Sequence, residues 1–131
     1  MEYSKMLAEY APAMSAEEVA KVVADCREKS VRNQNADVYK LCYSTIDLTT
    51  LTEKDSVEPV GRFVKKAVDF QSVYPEIPNV ASICVFPLFV DVVGLGVEGT
   101  DIGVTSVAAG FPASQTFMEV KMLEVSMAVE N

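Results

Sequence analysis

The sequence predicts a parallel α/β domain in which strands and helices alternate, preceded by a helical extension over residues 1–36. Three observations carry this prediction. Apolar runs rich in β-branched and aromatic residues recur at 38–51, 80–86 and 103–111. The stretches around them place apolar residues at i, i+3, i+4 and i+7, the spacing of one helix face. Alternation of the two patterns specifies a parallel sheet joined by right-handed crossovers.

Within the extension, Ser15 and Glu18 form an S-x-x-E pattern that satisfies orphan amides at a helix start. Val19, Val22, Val23 and Cys26 follow as one apolar stripe. Polar residues 27–37 close that helix and lead into the main domain, residues 37–131. There, Leu41, Cys42 and Tyr43 read as a β-rich run continuing into the first strand, Thr45 to Leu51. Asp55 with Glu58 is a candidate cap for the next helix, and Pro59 is tolerated in a first turn. Val60, Phe63, Val64 and Ala67 form its inward stripe, while Arg62, Lys65 and Lys66 face water.

After a loop at 69–79, Val80 to Phe86 is almost continuously apolar, as a parallel strand buried on both faces is. Pro87 ends it, a short apolar helix spans Phe89 to Val93, and Gly94, Gly96 and Gly99 punctuate the return. Gly103 to Phe111 reads as a third strand, apolar on both sides. Thr116 and Glu119 then cap a last helix with two stripes, Phe117, Val120, Leu123 and Met127, and Met118, Met122, Val125 and Val129. A helix apolar around most of its circumference packs on more than one side.

Composition removes several classes of function. Of 131 residues, half are apolar, with six Gly and six Pro, which excludes a disordered or fibrous chain. A formal charge of −8 argues against a nucleic-acid partner, since phosphate neutralisation needs clustered Lys and Arg. There is no histidine, so Ser-His-Asp and Cys-His catalysis and His-ligated zinc are all excluded. Three cysteines, Cys26, Cys42 and Cys84, make no C-x-x-C pair, and an odd count favours free thiols in a reducing compartment. The N-terminal residues lack a signal-like apolar core, and the longest apolar stretch, Ile83 to Val90, is too short to span a bilayer. The expectation is a cytoplasmic protein without a membrane partner.

Asp47, at the end of the first strand, is the leading candidate for chemistry, because parallel α/β sites are built at carboxyl ends of strands. An Asp there also caps turns. Cys84 sits mid-strand, where a thiol serves equally as a small core hydrophobe. The lysines lie mostly beside acids on helices and loops and read as solvated charges. Gly94-x-Gly96-x-x-Gly99 precedes a strand instead of following one, so it is not a dinucleotide-binding turn.

Three longer motifs take the reading further. Ile46-Asp47-Leu48-Thr49-Thr50-Leu51, then Val80-Ala81-Ser82-Ile83-Cys84-Val85-Phe86-Pro87, then Gly110-Phe111-Pro112 with Glu119-Val120-Lys121, resemble deoxyribose-phosphate aldolase in order and spacing. The resemblance covers about residues 38–131. It implies a TIM (β/α)₈ barrel, of which this chain would hold the first three βα units. It also implies reversible cleavage of 2-deoxyribose 5-phosphate to glyceraldehyde 3-phosphate and acetaldehyde through a lysine Schiff base, with no metal or other cofactor.

By that resemblance Asp47 matches a supporting catalytic Asp, and Thr49 and Cys84 match substrate-pocket positions. The family's Schiff-base lysine lies on a later strand, so the chain is expected to be a fragment, inactive alone. Its parent would take a phosphorylated sugar. Leu88 stands where many members have Arg, and Ala113-Ser114 replaces a common His-Gly. Two other readings fit the residues: a non-enzymatic α/β association module, and a small flavodoxin-like ligand binder. Unpaired sheet edges and the doubly apolar last helix suggest a homo-oligomer.

Overall fold

A computed structural model describes residues 3–10 and 14–131, which divide into two compact units, Met1–Val38 and Tyr39–Asn131. The first unit holds helices α1 (Tyr3–Glu9) and α2 (Ala16–Ser30), followed by a 3-10 turn at Val31–Asn33. The capping box at the start of α2 is complete. Ser15 Oγ accepts from the Glu18 amide at 3.2 Å, and Glu18 Oε2 accepts from the Ser15 amide at 2.7 Å. The amide and hydroxyl of Ser15 hold the Glu18 carboxyl below its ordinary pKa. The segment expected to be a polar linker is largely helical, since α2 runs to Ser30 and α3 (Ala36–Ser44) starts soon after the turn.

Helix α3 corrects the expectation for Leu41-Cys42-Tyr43, which are helical and not part of a strand. Asn35 Oδ1 accepts from the Val38 amide at 3.0 Å, the bond an N-cap side chain makes. Leu41 then points to solvent, 63% exposed, while Tyr43 packs against the core and stacks on Phe70 at 5.3 Å.

Three short strands follow, β1 (Asp47–Thr49), β2 (Ser82–Val85) and β3 (Gly103–Ser106), forming an all-parallel open sheet in the order β1-β2-β3. Helices α4 (Val57–Val73), α5 (Val90–Gly96) and α6 (Met118–Glu130) alternate with them. The core is one layer. Ile83 and Val85 of β2 meet Val60 and Val64 of α4 and Val93 of α5, all essentially free of solvent. Each such side chain contributes about 1.5–3 kcal/mol through burial.

The centre of β2 is buried on both faces as expected, with Ile83 and Val85 on one side and Cys84 on the other, but the residues beside Cys84 on its face are polar. Alternation sends Leu48, Ile83 and Val85 to one face, with the helices, and leaves Asp47, Thr49, Ser82, Cys84, Gly103 and Thr105 on the other. The third strand stops at Ser106, short of the expected Phe111. Beyond it the backbone turns through positive φ at Ala109 and Gly110, which a strand cannot continue.

Gly94 and Gly96 lie inside α5, so only Gly99 of the three glycines belongs to the return. Neither expected cap forms. Ser56 occupies the N-cap position of α4, Asp55 is engaged elsewhere, and Phe117 occupies the N-cap position of α6. Glu124 instead ties α6 to the preceding loop, accepting from the Gly110 amide at 2.9 Å. Among the described residues no helix is long and apolar enough to cross a membrane.

Candidate functional site

The polar face of the sheet gathers the residues that carry chemistry. Asp47 is the first residue of β1, not its end, and stands in register with Ser82 of β2. Ser82 Oγ donates to Asp47 Oδ1 at 2.6 Å, and Thr105 Oγ1 of β3 donates to Ser82 Oγ at 3.1 Å. Thr49 Oγ1 donates back to the Asp47 carbonyl at 2.9 Å. One step along the sheet, Thr49 pairs with Cys84, which is 6% exposed. Burial first, and then the neighbouring Asp47 carboxylate, push the Cys84 thiol above its ordinary pKa, while Thr49 opposes them. Asp47, Thr49 and Cys84, named from sequence, are thus brought together, with Cys84 in a neutral, shielded state.

The loop after β1 is shaped by its own polar clasp. The Thr50 amide donates to the Cys84 carbonyl at 3.0 Å, extending the β1–β2 pairing to the carboxyl end. Asp55 accepts from the hydroxyls of Thr50 at 2.9 Å and Thr52 at 2.8 Å, and from the Thr52 amide at 3.0 Å. Burial alone would raise its pKa, but these bonds together outweigh burial and hold the carboxyl below its ordinary value. At the amino end of the sheet, Asn79 donates to Gln71 Oε1 at 3.1 Å and to Asp101.

Sequence reasoning missed Ser82, Thr105 and the Asp55 clasp. The available signal was the strict polar-apolar alternation of Ser82-Ile83-Cys84-Val85. A cavity of 550 Å³ between Phe86, Pro87 and Leu88 on one side and Val120, Leu123 and Met127 of α6 on the other contains none of the site residues. Among the described residues no three His, Cys, Asp or Glu side chains converge as metal ligands would. None of the strand residues is a lysine.

Three parallel βα units with a polar row on the concave-capable face define a segment of a (β/α)₈ barrel, left open along the sheet. In sequence the chain is homologous to part of deoxyribose-phosphate aldolase. It is 36% identical over 96 residues to the Bos taurus enzyme and 35% identical over 96 residues to the Homo sapiens enzyme, each match covering 66% of this chain and 30% of the relative. A Caenorhabditis elegans protein provisionally given the same name is 30% identical over 115 residues, 86% of this chain and 38% of the relative. The chain thus spans about a third of the length of these relatives.

A Coccidioides immitis crystal structure, also provisionally described as a deoxyribose-phosphate aldolase, superposes with a TM-score of 0.58 at 23% identity. That superposition covers 70% of this chain and 32% of the other, and it bears on the fold. No protein-family model matches the sequence.

Proposed function

We propose that these residues supply the Asp47–Cys84 side of a deoxyribose-phosphate aldolase active site. The observation that carries the reading is the convergence of Asp47, Thr49 and Cys84 on one polar sheet face, in a chain homologous to that enzyme. In this reading the polar face lines the mouth of a barrel completed by further strands. A lysine on one of those strands forms the Schiff base with the aldehyde carbonyl. Asp47 is the fixed anion that orients lysine ammonium groups and the proton relay around them. Thr49 and Cys84 shape the pocket beside the sugar. The 131-residue chain alone lacks a lysine on its strands and is inactive, and α6 and the open edges serve association.

The test is retro-aldol cleavage of 2-deoxyribose 5-phosphate by the full-length gene product and by this chain separately, with borohydride trapping of acetaldehyde in each. Turnover and a trapped lysine in the full-length product, and neither in the chain, support the reading. A full-length product that neither cleaves nor traps overturns it. Trapping on any lysine of this chain overturns the inactivity.

A further inference from the structure

We infer that Ser82, held by Thr105, is a positioning residue for the Asp47 carboxylate, an inference that rests on the aldolase reading above. The hydrogen bonds run in one direction. A serine hydroxyl has a single proton and two acceptor sites, and an ionised carboxylate only accepts. Thr105 Oγ1 donates to Ser82 Oγ at 3.1 Å, and the Ser82 hydroxyl in turn donates to Asp47 Oδ1 at 2.6 Å. That second distance is the short contact expected of a hydroxyl bound to a charged oxygen. Each of the three strands contributes one member, so the relay crosses the whole sheet.

Register makes the arrangement rigid. Ser82 is the direct Cα partner of Asp47, and Thr105 pairs with Cys84 one alternation further along the same face. Asp47 itself is solvent-exposed at the start of a three-residue strand. The Ser82 hydroxyl, bound to Oδ1, holds that exposed carboxylate in one orientation. A carboxylate that must hold a lysine ammonium in one place loses effect when its own torsions are free.

Ser82→Ala in the full-length product is expected to lower kcat for 2-deoxyribose 5-phosphate cleavage about tenfold, the lower end for one hydrogen bond to a charged group. KM should stay within about twofold and the thermal midpoint should not move, because a positioning loss falls on turnover. Ser82→Thr, which keeps the hydroxyl, should restore most of the rate. Thr105→Val, which removes the hydroxyl behind Ser82 and keeps its bulk, should lower kcat by about threefold and keeps the question open to test should Ser82→Ala melt early. An active wild type whose soluble Ser82→Ala and Thr105→Val variants turn over normally overturns this inference alone. A Ser82→Thr variant as slow as Ser82→Ala also overturns it, by making bulk the cause. A full-length wild type without aldolase activity overturns the aldolase reading, and this inference with it.

Discussion

Gly96, the last residue of α5, lies directly over Val64 of α4, so that a Cβ at position 96 would stand 2.5 Å from Val64 Cγ1. Val64 is β-branched, 1% exposed and central to the core, and it has no room to yield. Gly96→Ala is therefore expected to cost about 1–3 kcal/mol, the usual penalty of overpacking, in spite of alanine's better helix propensity. Urea unfolding measures this, with Gly94→Ala as the control, since a Cβ there meets nothing within 4 Å. Equal midpoints for the two variants would show that α5 and α4 are not in this contact.

The β1–α4 loop gives a dependence on pH. Asp55 has its pKa held below the ordinary 3.8 by Thr52 and Thr50 against the opposing effect of burial. A depressed folded pKa stabilises the fold above the unfolded value and loses that stabilisation as pH falls through the folded one. The urea midpoint of wild type should exceed that of Asp55→Ala near neutrality. The gap should narrow below about pH 4 as the wild-type carboxyl takes up its proton. A gap that stays constant from neutrality into acid would mean that Asp55 acts through shape and not through charge.

How far the sequence disclosed these features depends on the kind of signal. The parallel order of strands and the Val60 and Val64 stripe of α4 were legible because their periods differ and each runs over several residues. Leu41-Cys42-Tyr43 was not, since a short apolar run fits a buried strand or a helix face alike. Asn35, whose side chain caps the Val38 amide, was the discriminating residue. Asp47 was legible from its place on the first strand, whereas Thr49 and the pocket role of Cys84 came from a family resemblance. Ser82 stayed hidden because apolar Val80, Ala81 and Phe86 around it obscured the alternation. Its partner Asp47 is 35 positions away, fixed only by strand register.

Thiol chemistry reports on the same face of the sheet. Cys26 and Cys42 are exposed, whereas Cys84 is buried and kept protonated by burial and by the Asp47 carboxylate. Two thiols of the native protein should react promptly with a disulfide reagent at mildly alkaline pH and the third only slowly. Asp47→Asn removes the neighbouring negative charge and should quicken the slow thiol. Three thiols of equal rate, or a slow phase indifferent to Asp47→Asn, would contradict the Asp47–Cys84 contact.

In the full-length product Asp47→Asn keeps the shape of the side chain and removes its charge. If Asp47 organises lysine ammonium groups, turnover should fall on the order of ten- to a hundredfold while the thermal midpoint holds. Steady-state assays of 2-deoxyribose 5-phosphate cleavage decide it. Unchanged kinetics would remove Asp47 from the site.

The surface of α6 leads to a prediction of self-association. Its two stripes, from Phe117 to Val129, are between 42 and 81% exposed at the eight large apolar positions 117, 118, 120, 122, 123, 125, 127 and 129. Each side chain left in water forgoes about 1.5–3 kcal/mol of burial, and exposed apolar side chains concentrated on one helix favour association. A second copy of the chain offers the same surface, and twofold pairing buries both at once. The chain should sediment as a dimer or larger at micromolar concentration. Met122→Lys with Val129→Lys, on the stripe that does not line the 550 Å³ cavity, should shift it toward monomer without unfolding α6, because lysine is a good helix former. A wild-type chain that is already a stable monomer would show that α6 tolerates water, and association would then have to be sought at the edges of β1 and β3 only in the presence of other strands.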